Sequence, residues 1–234
     1  MKPRILFLAL LALSPLAQAQ NSNEVVAEVY GEKITRIGPG DQRGPIFSAL
    51  LRHYAEQQNI TVTDDEIATF VSHLNRAQED LATNNQREIA EIEKQLSAPS
   101  LSPQQKATLE SQKQTLEKFQ QSQQQLKSTP PAEEDEFQAA QRRIAREFVG
   151  RWKVSKALYD QYGGRIIFQQ AGPEPIDAYR DFLKAEQQSG NFKILDPKVE
   201  ADFWRYFTDD KMHVFSQDTT VFTTPWWTKK VAPQ

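Results

Sequence analysis

The chain has 234 residues, no cysteine, 28 basic and 31 acidic side chains and only three histidines. Disulfides, thiolate zinc sites and cysteine nucleophiles are therefore excluded, and the acidic balance leaves no electrostatic footprint for nucleic acid. Beyond the first apolar run, no stretch approaches the roughly 20 apolar residues that a membrane-spanning helix needs.

Lys2 and Arg4, the apolar run Ile5 to Leu13 and the small-x-small triplet Ala17-Gln18-Ala19 together read as a cleavable export signal over residues 1–19. Cleavage after Ala19 would leave 26 basic against 31 acidic residues, a net charge near −5. No cysteine follows to carry a lipid. The expectation is a protein without a membrane span, working in a bacterial periplasm.

Val25 to Thr35 reads as a strand, a turn at Gly31 and a second short extended piece, which is a small ribbon. Pro45 suits the first turn of a helix that puts Phe47, Leu50, Leu51 and Tyr54 on one face. Thr63-Asp64-Asp65-Glu66 is a capping box, in which the Thr63 hydroxyl accepts from the Glu66 backbone and the Glu66 carboxylate reaches back. Ile67, Phe70, Val71 and Leu74 continue the apolar face, which then thins to Leu81, Ile89, Ile92 and Leu96.

Ser102-Pro103 opens the next helix, predicted to reach Lys127, with Leu109 and Leu116 a heptad apart, as are Phe119 and Leu126. Two such helices predict a long antiparallel hairpin over 76–131. Twelve glutamines between Arg76 and Lys127, with Gln112 and Gln123 in the seam, predict weak pairing at its tip. Pro130-Pro131 ends the segment. A helix from about Glu134 to Tyr162 carries Ile144, Phe148, Trp152, Ser155 and Tyr159 on one side, and Gly163-Gly164 stops it.

Residues 163–234 read as a small α+β region: a strand over Arg165–Phe168, a helix introduced by Pro173 and Pro175, an extended run Phe192–Leu195, and a helix capped by Asp196-Pro197 with Val199, Phe203 and Phe207 inward. Thirteen of the 23 aromatic residues fall after residue 160, so most must be core there. The sequence leaves open which of Trp204, Trp226 and Trp227 are buried.

His53, His73 and His213 are scattered and lack metal-binding spacing. There is no nucleophile elbow, no H-E-x-x-H and no phosphate cradle. Asp64-Asp65 serves a helix cap, Asp209-Asp210 is not followed by calcium-loop ligands, and Glu133 to Glu136 suits the positive end of a helix. No catalytic residue, metal site or cofactor is expected.

Val25 to Thr35, together with Tyr54-Ala55-Glu56-Gln57-Gln58-Asn59-Ile60-Thr61-Val62-Thr63-Asp64-Asp65-Glu66-Ile67, resembles the opening of the SurA-type periplasmic chaperones and their relatives with parvulin-type prolyl isomerase domains. The likeness covers residues 24–75, and 134–162 is similar to that family's returning helix. It implies an apolar cradle for unfolded outer-membrane proteins. Residues 76–131 are Gln-rich and lack the mixed pattern of a parvulin domain, and the aromatic 163–234 region has no counterpart in the resemblance.

The fold expected is mainly α: a SurA N-terminal-like helical module with a short β ribbon, a long α-hairpin insertion and a small α+β C-terminal region. The function expected is a non-catalytic, ATP-independent chaperone for unfolded or nascent envelope polypeptides. Its client groove is drawn from Phe47, Leu50, Leu51, Tyr54, Phe70, Trp152 and Tyr159. A divergent prolyl isomerase and a dedicated envelope adaptor are the alternatives, and a homodimer is left open.

Overall fold

The computed structural model describes residues 24–38, 40–127, 131–169 and 172–228; the expected signal segment and the turn at 128–130 lie outside them. The chain is mainly helical with a small antiparallel sheet. Strands β1 (Val25–Val29) and β2 (Glu32–Thr35) form the expected ribbon. Tyr30 and Gly31 turn it with φ of 48° and 81°, the two positive values a tight two-residue hairpin demands.

Helix α1 (Arg43–Gln57) begins two residues before Pro45. The Gln42 side chain folds back on the preceding loop, accepting from the Ile37 backbone at 2.8 Å and donating to the Gly40 carbonyl at 2.7 Å. Helix α2 (Asp64–Leu96) starts on the capping box as read, with both reciprocal bonds made, at 3.2 Å and 2.8 Å. Helix α3 (Pro103–Lys127) pairs with its distal half. At about 1.5 Å per residue, α2 is roughly 50 Å long.

The seam of that arm differs from the expectation in detail. On α2 it is Ala82, Asn85, Ile89, Ile92 and Leu96, and on α3 Leu109, Lys113, Leu116, Gln120 and Gln123, each a 3.5-residue repeat of partly or fully covered positions. Leu81, Phe119 and Gln112 fall outside it and are exposed. Asn85, buried in the seam, donates to the Leu116 carbonyl at 3.3 Å, and Lys113 reaches Glu93 at 2.7 Å.

Helix α4 (Pro131–Tyr162) returns along the first half of α2. Beyond it come the hairpin β3 (Ile167–Gln169) and β4 (Gly172–Glu174), helix α5 (Ile176–Gln188), strand β5 (Phe192–Ile194) and helix α6 (Pro197–Thr208). Pro173 belongs to β4, not to a helix start, and α5 begins at Ile176. Three short 3-10 turns carry the chain on to Thr228.

Residue 163 is no boundary. Strand β5 pairs antiparallel with β1, Ala27 opposite Ile194 and Val29 opposite Phe192, giving the sheet order β2-β1-β5. One core joins Val26, Leu50 and Tyr54 from the first quarter of the chain to Leu158, Tyr179, Phe182, Phe203 and Phe207 from the last third. The 163–234 stretch, α+β as expected, shares its sheet and core with the start of the chain: β1 and β2 alone would be a marginal two-stranded ribbon, and β5, α5 and α6 complete their sheet and cover it.

Candidate functional site

Of the seven residues expected to form the client groove, the structure brings Phe47 and Leu51 to one open apolar cleft and Trp152 to the edge of a separate recess beside Ile60. Leu50, Tyr54 and Phe70 are 0 %, 6 % and 1 % exposed and belong to the core. Tyr54 packs edge-on against Phe182 at 5.2 Å and bonds Gln161 at 3.0 Å. Phe70 lies under Phe148, Trp226 and Trp227, with ring centroids 5.2–5.9 Å away.

Trp152 and Tyr159 anchor the C-terminal segment. Trp152 donates from its indole nitrogen to the Val221 carbonyl at 3.3 Å and meets Trp227 edge-on at 5.4 Å, while Tyr159 packs on Phe222 at 5.1 Å. The α2–α4 face that the sequence offered to clients is thus filled by Val221, Phe222, Trp226 and Trp227 of the same chain. Their aperiodic spacing gave no sign of where they would dock.

Phe47 and Leu51 do line an apolar cleft, between α1 and α4. It holds about 520 Å³ and is floored by Phe47, Leu51, Ala55, Ile60, Gly150 and Val154. Helical spacing explains the membership: Phe47, Leu51 and Ala55 are four apart on α1, as Gly150 and Val154 are on α4. A Cβ at Gly150 would make ordinary contact with the Val62 side chain, at 3.4 Å. Ala55, Ile60, Gly150 and Val154 were missed from sequence, because the link after α1 and the start of α2 had to be placed before α4 could face α1.

The rim is charged. Arg52 pairs with Glu32, Arg146 with Asp64 at 3.6 Å and Arg151 with Glu174 at 2.9 Å, and Glu147 completes it. Glu174 is itself buried and also accepts from the Tyr206 hydroxyl at 2.7 Å. Beneath, the Tyr179 and Ser155 hydroxyls lie 2.5 Å apart, and burial pushes the Tyr179 hydroxyl far above its ordinary range. Tyr206 is raised by burial and by the adjacent Glu174 carboxylate. This network lies behind the floor, where Phe47 packs edge-on against the Tyr179 ring at 4.8 Å.

A second cleft, of about 590 Å³, lies between the loop at residues 36–43 and α6. Its cations are mostly committed. Arg36 bridges Glu24 and Asp196 at 2.7 and 2.5 Å, Arg43 pairs with Asp41 and sits 3.6 Å over the Tyr206 ring, and Arg205 reaches Asp202 at 3.2 Å. Such a surface offers little unspent charge to a ligand. A recess of about 360 Å³ on the far side of Ile60 is spanned by Lys153, whose ammonium donates to the Thr61 carbonyl at 2.6 Å and to Glu66 at 2.8 Å.

Among the described residues no cluster of three or more histidine, aspartate or glutamate side chains could hold a metal ion, and no helix is long and apolar enough to cross a membrane. Comparison with protein families, with curated proteins and with solved structures finds no match to this chain.

Proposed function

We propose that this protein is a chaperone-like polypeptide binder of the bacterial envelope, holding apolar segments of unfolded proteins in the α1–α4 cleft without catalysis. The observation that carries this reading is the apolar cleft in which the partly exposed Leu51, Ala55 and Ile60 lie over the buried Phe47 and Val154, bordered by charges of both signs. Its volume suits two or three apolar side chains of an extended segment, and the arginines and Glu147 on the rim suit the polar backbone around them. Two further supports are the export signal read in residues 1–19 and the resemblance of residues 24–75 to SurA-type chaperones.

Burying each client side chain contributes about 1.5–3 kcal/mol before ordering costs, so two or three of them give about 3–9 kcal/mol gross and weak, exchangeable binding no tighter than micromolar. Non-directional apolar contact gives breadth of clients, and ATP is not required for release at that affinity. Site-specific photo-crosslinking tests the location. A crosslinker at Leu51 is expected to capture an unfolded outer-membrane protein, and one at Leu81 on the arm to capture none. Capture at the arm alone would favour the adaptor reading.

A further inference from the structure

Two clefts of this protein carry their charges in opposite ways. In the cleft between the loop at residues 36–43 and α6, Arg43 and Arg205 pair with Asp41 and Asp202, and all four side chains line the same space. In the α1–α4 cleft the arginines line the space and their partners do not. Arg52, Arg146 and Arg151 border it, while Glu32, Asp64 and Glu174, with which they pair, lie outside its lining. Each ion pair thus turns its positive end toward the apolar floor, and Glu147 is the single carboxylate among the lining residues. Arg146 is the least committed of the three. It reaches Asp64 at 3.6 Å through Nη2, Arg142 takes the same carboxylate oxygen at 3.1 Å, and the Arg146 side chain is 62 % exposed. One carboxylate cannot neutralise two guanidiniums.

Given polypeptide binding at this cleft, we propose that it selects apolar segments flanked by aspartate or glutamate, and that Arg146 is the side chain that sets the preference. The apolar run lies on Leu51, Ala55 and Ile60, and a flanking carboxylate of the client accepts from the Arg146 guanidinium. That group is a planar fork with five donors, so a single long contact to Asp64 leaves most of it open to a second carboxylate. Flanking lysines would meet three like charges at the rim instead. The chain as a whole has a formal net charge of −3, so the preference is local to the rim and is not a long-range attraction for acids. Exposed charge pairs contribute little each, and charge here ranks segments that apolar contact already admits.

Fluorescence anisotropy with two dye-labelled peptides tests the preference. Both carry the run Leu-Val-Phe-Leu, one flanked on each side by aspartates and the other by lysines. The aspartate peptide is expected to bind about tenfold more tightly at low salt, and that ratio to shrink several-fold as sodium chloride rises to about 0.5 M. Arg146→Gln is expected to cut the ratio about threefold or more, and Asp64→Asn, which removes the competing carboxylate, to raise it about twofold or more, with helical circular dichroism unchanged in both. Equal affinity for the two peptides, or a ratio that neither salt nor Arg146→Gln reduces, would overturn the charge preference and leave polypeptide binding standing. Binding of neither peptide would overturn both.

Discussion

Arg165 holds Asp177 with three hydrogen bonds at once: its backbone N–H and Nε donate to Oδ2, each at 2.8 Å, and Nη2 donates to Oδ1 at 3.0 Å. Arg180 adds a contact at 2.8 Å, and Arg165 also reaches Asp210 at 2.7 Å. The clamp ties the segment just after α4 to the first turn of α5, adding to the β1–β5 pairing and the shared core that join the last third of the chain to the rest. The Arg165 guanidinium holds the Asp177 carboxyl down at about 2, below its ordinary 3.8.

A carboxylate whose pKa is depressed on folding stabilises the fold above its unfolded value, and that contribution is lost as pH falls through the folded one. Asp177 therefore contributes about 2 kcal/mol at neutral pH, fading between roughly pH 5 and pH 2. Asp177→Ala is expected to cost about 2–4 kcal/mol in urea unfolding at pH 7, and the gap to wild type should narrow steadily toward pH 2.

Gly164 makes the clamp possible. A Cβ there would lie 2.4 Å from the Asp177 Cβ, in a backbone at φ 95°. Gly163, at φ 68°, has open space around it. Thermal unfolding should separate the two: Gly164→Ala is expected to cost about 3 kcal/mol or more, through clash and strain together, and Gly163→Ala about 1 kcal/mol, from strain alone.

The C-terminal segment acts as a plug. Trp227 is 3 % exposed and closes the cluster of Ile67, Phe70, Ala145 and Val149. Trp227→Ala is expected to destabilise by about 3–5 kcal/mol. Truncation after Phe215 should uncover Phe70, read as a rise in binding of an apolar fluorescent dye while the helical signal of α2 and α4 persists.

A buried polar side chain in a helical seam favours one register at a cost in stability, and Asn85 is such a side chain. Asn85→Leu replaces a buried amide with an apolar side chain and is expected to strengthen α2–α3 pairing by about 1 kcal/mol. Hydrogen exchange of the α2 amides from Ala82 to Leu96 should slow about fivefold or more.

Local chemistry was plain in the sequence wherever it sufficed to set structure. The Thr63–Glu66 box, the Asp196 cap, and the inward sets Ile176, Tyr179, Phe182 and Leu183 on α5 and Val199, Phe203 and Phe207 on α6 all stand as read. Contacts between distant segments were not plain. Strand β4 carries Pro173, which lacks a donor and so reads as a helix start, yet it pairs with Phe168. The docking of Trp226 and Trp227 on Phe70 joins residues more than 150 apart with no period to reveal it.

The groove shows the same limit at the scale of one residue. Leu50 and Leu51 are equally apolar and stand about 100° apart on α1, and periodicity assigns both to one broad face. Only the positions of α4, α5 and the link at Ile60 decide that Leu50 is sealed and Leu51 is left at the cleft.

That pair supplies the decisive comparison, made by titrating a fluorescent unfolded outer-membrane protein into the wild type, Leu51→Glu and Leu50→Ala. Leu51→Glu should weaken binding about tenfold or more at a smaller cost in stability, since Leu51 is only partly buried, and Leu50→Ala should cost about 2–5 kcal/mol in stability with affinity retained while the fold persists. Undiminished affinity in a folded Leu51→Glu protein would contradict client binding at the α1–α4 cleft.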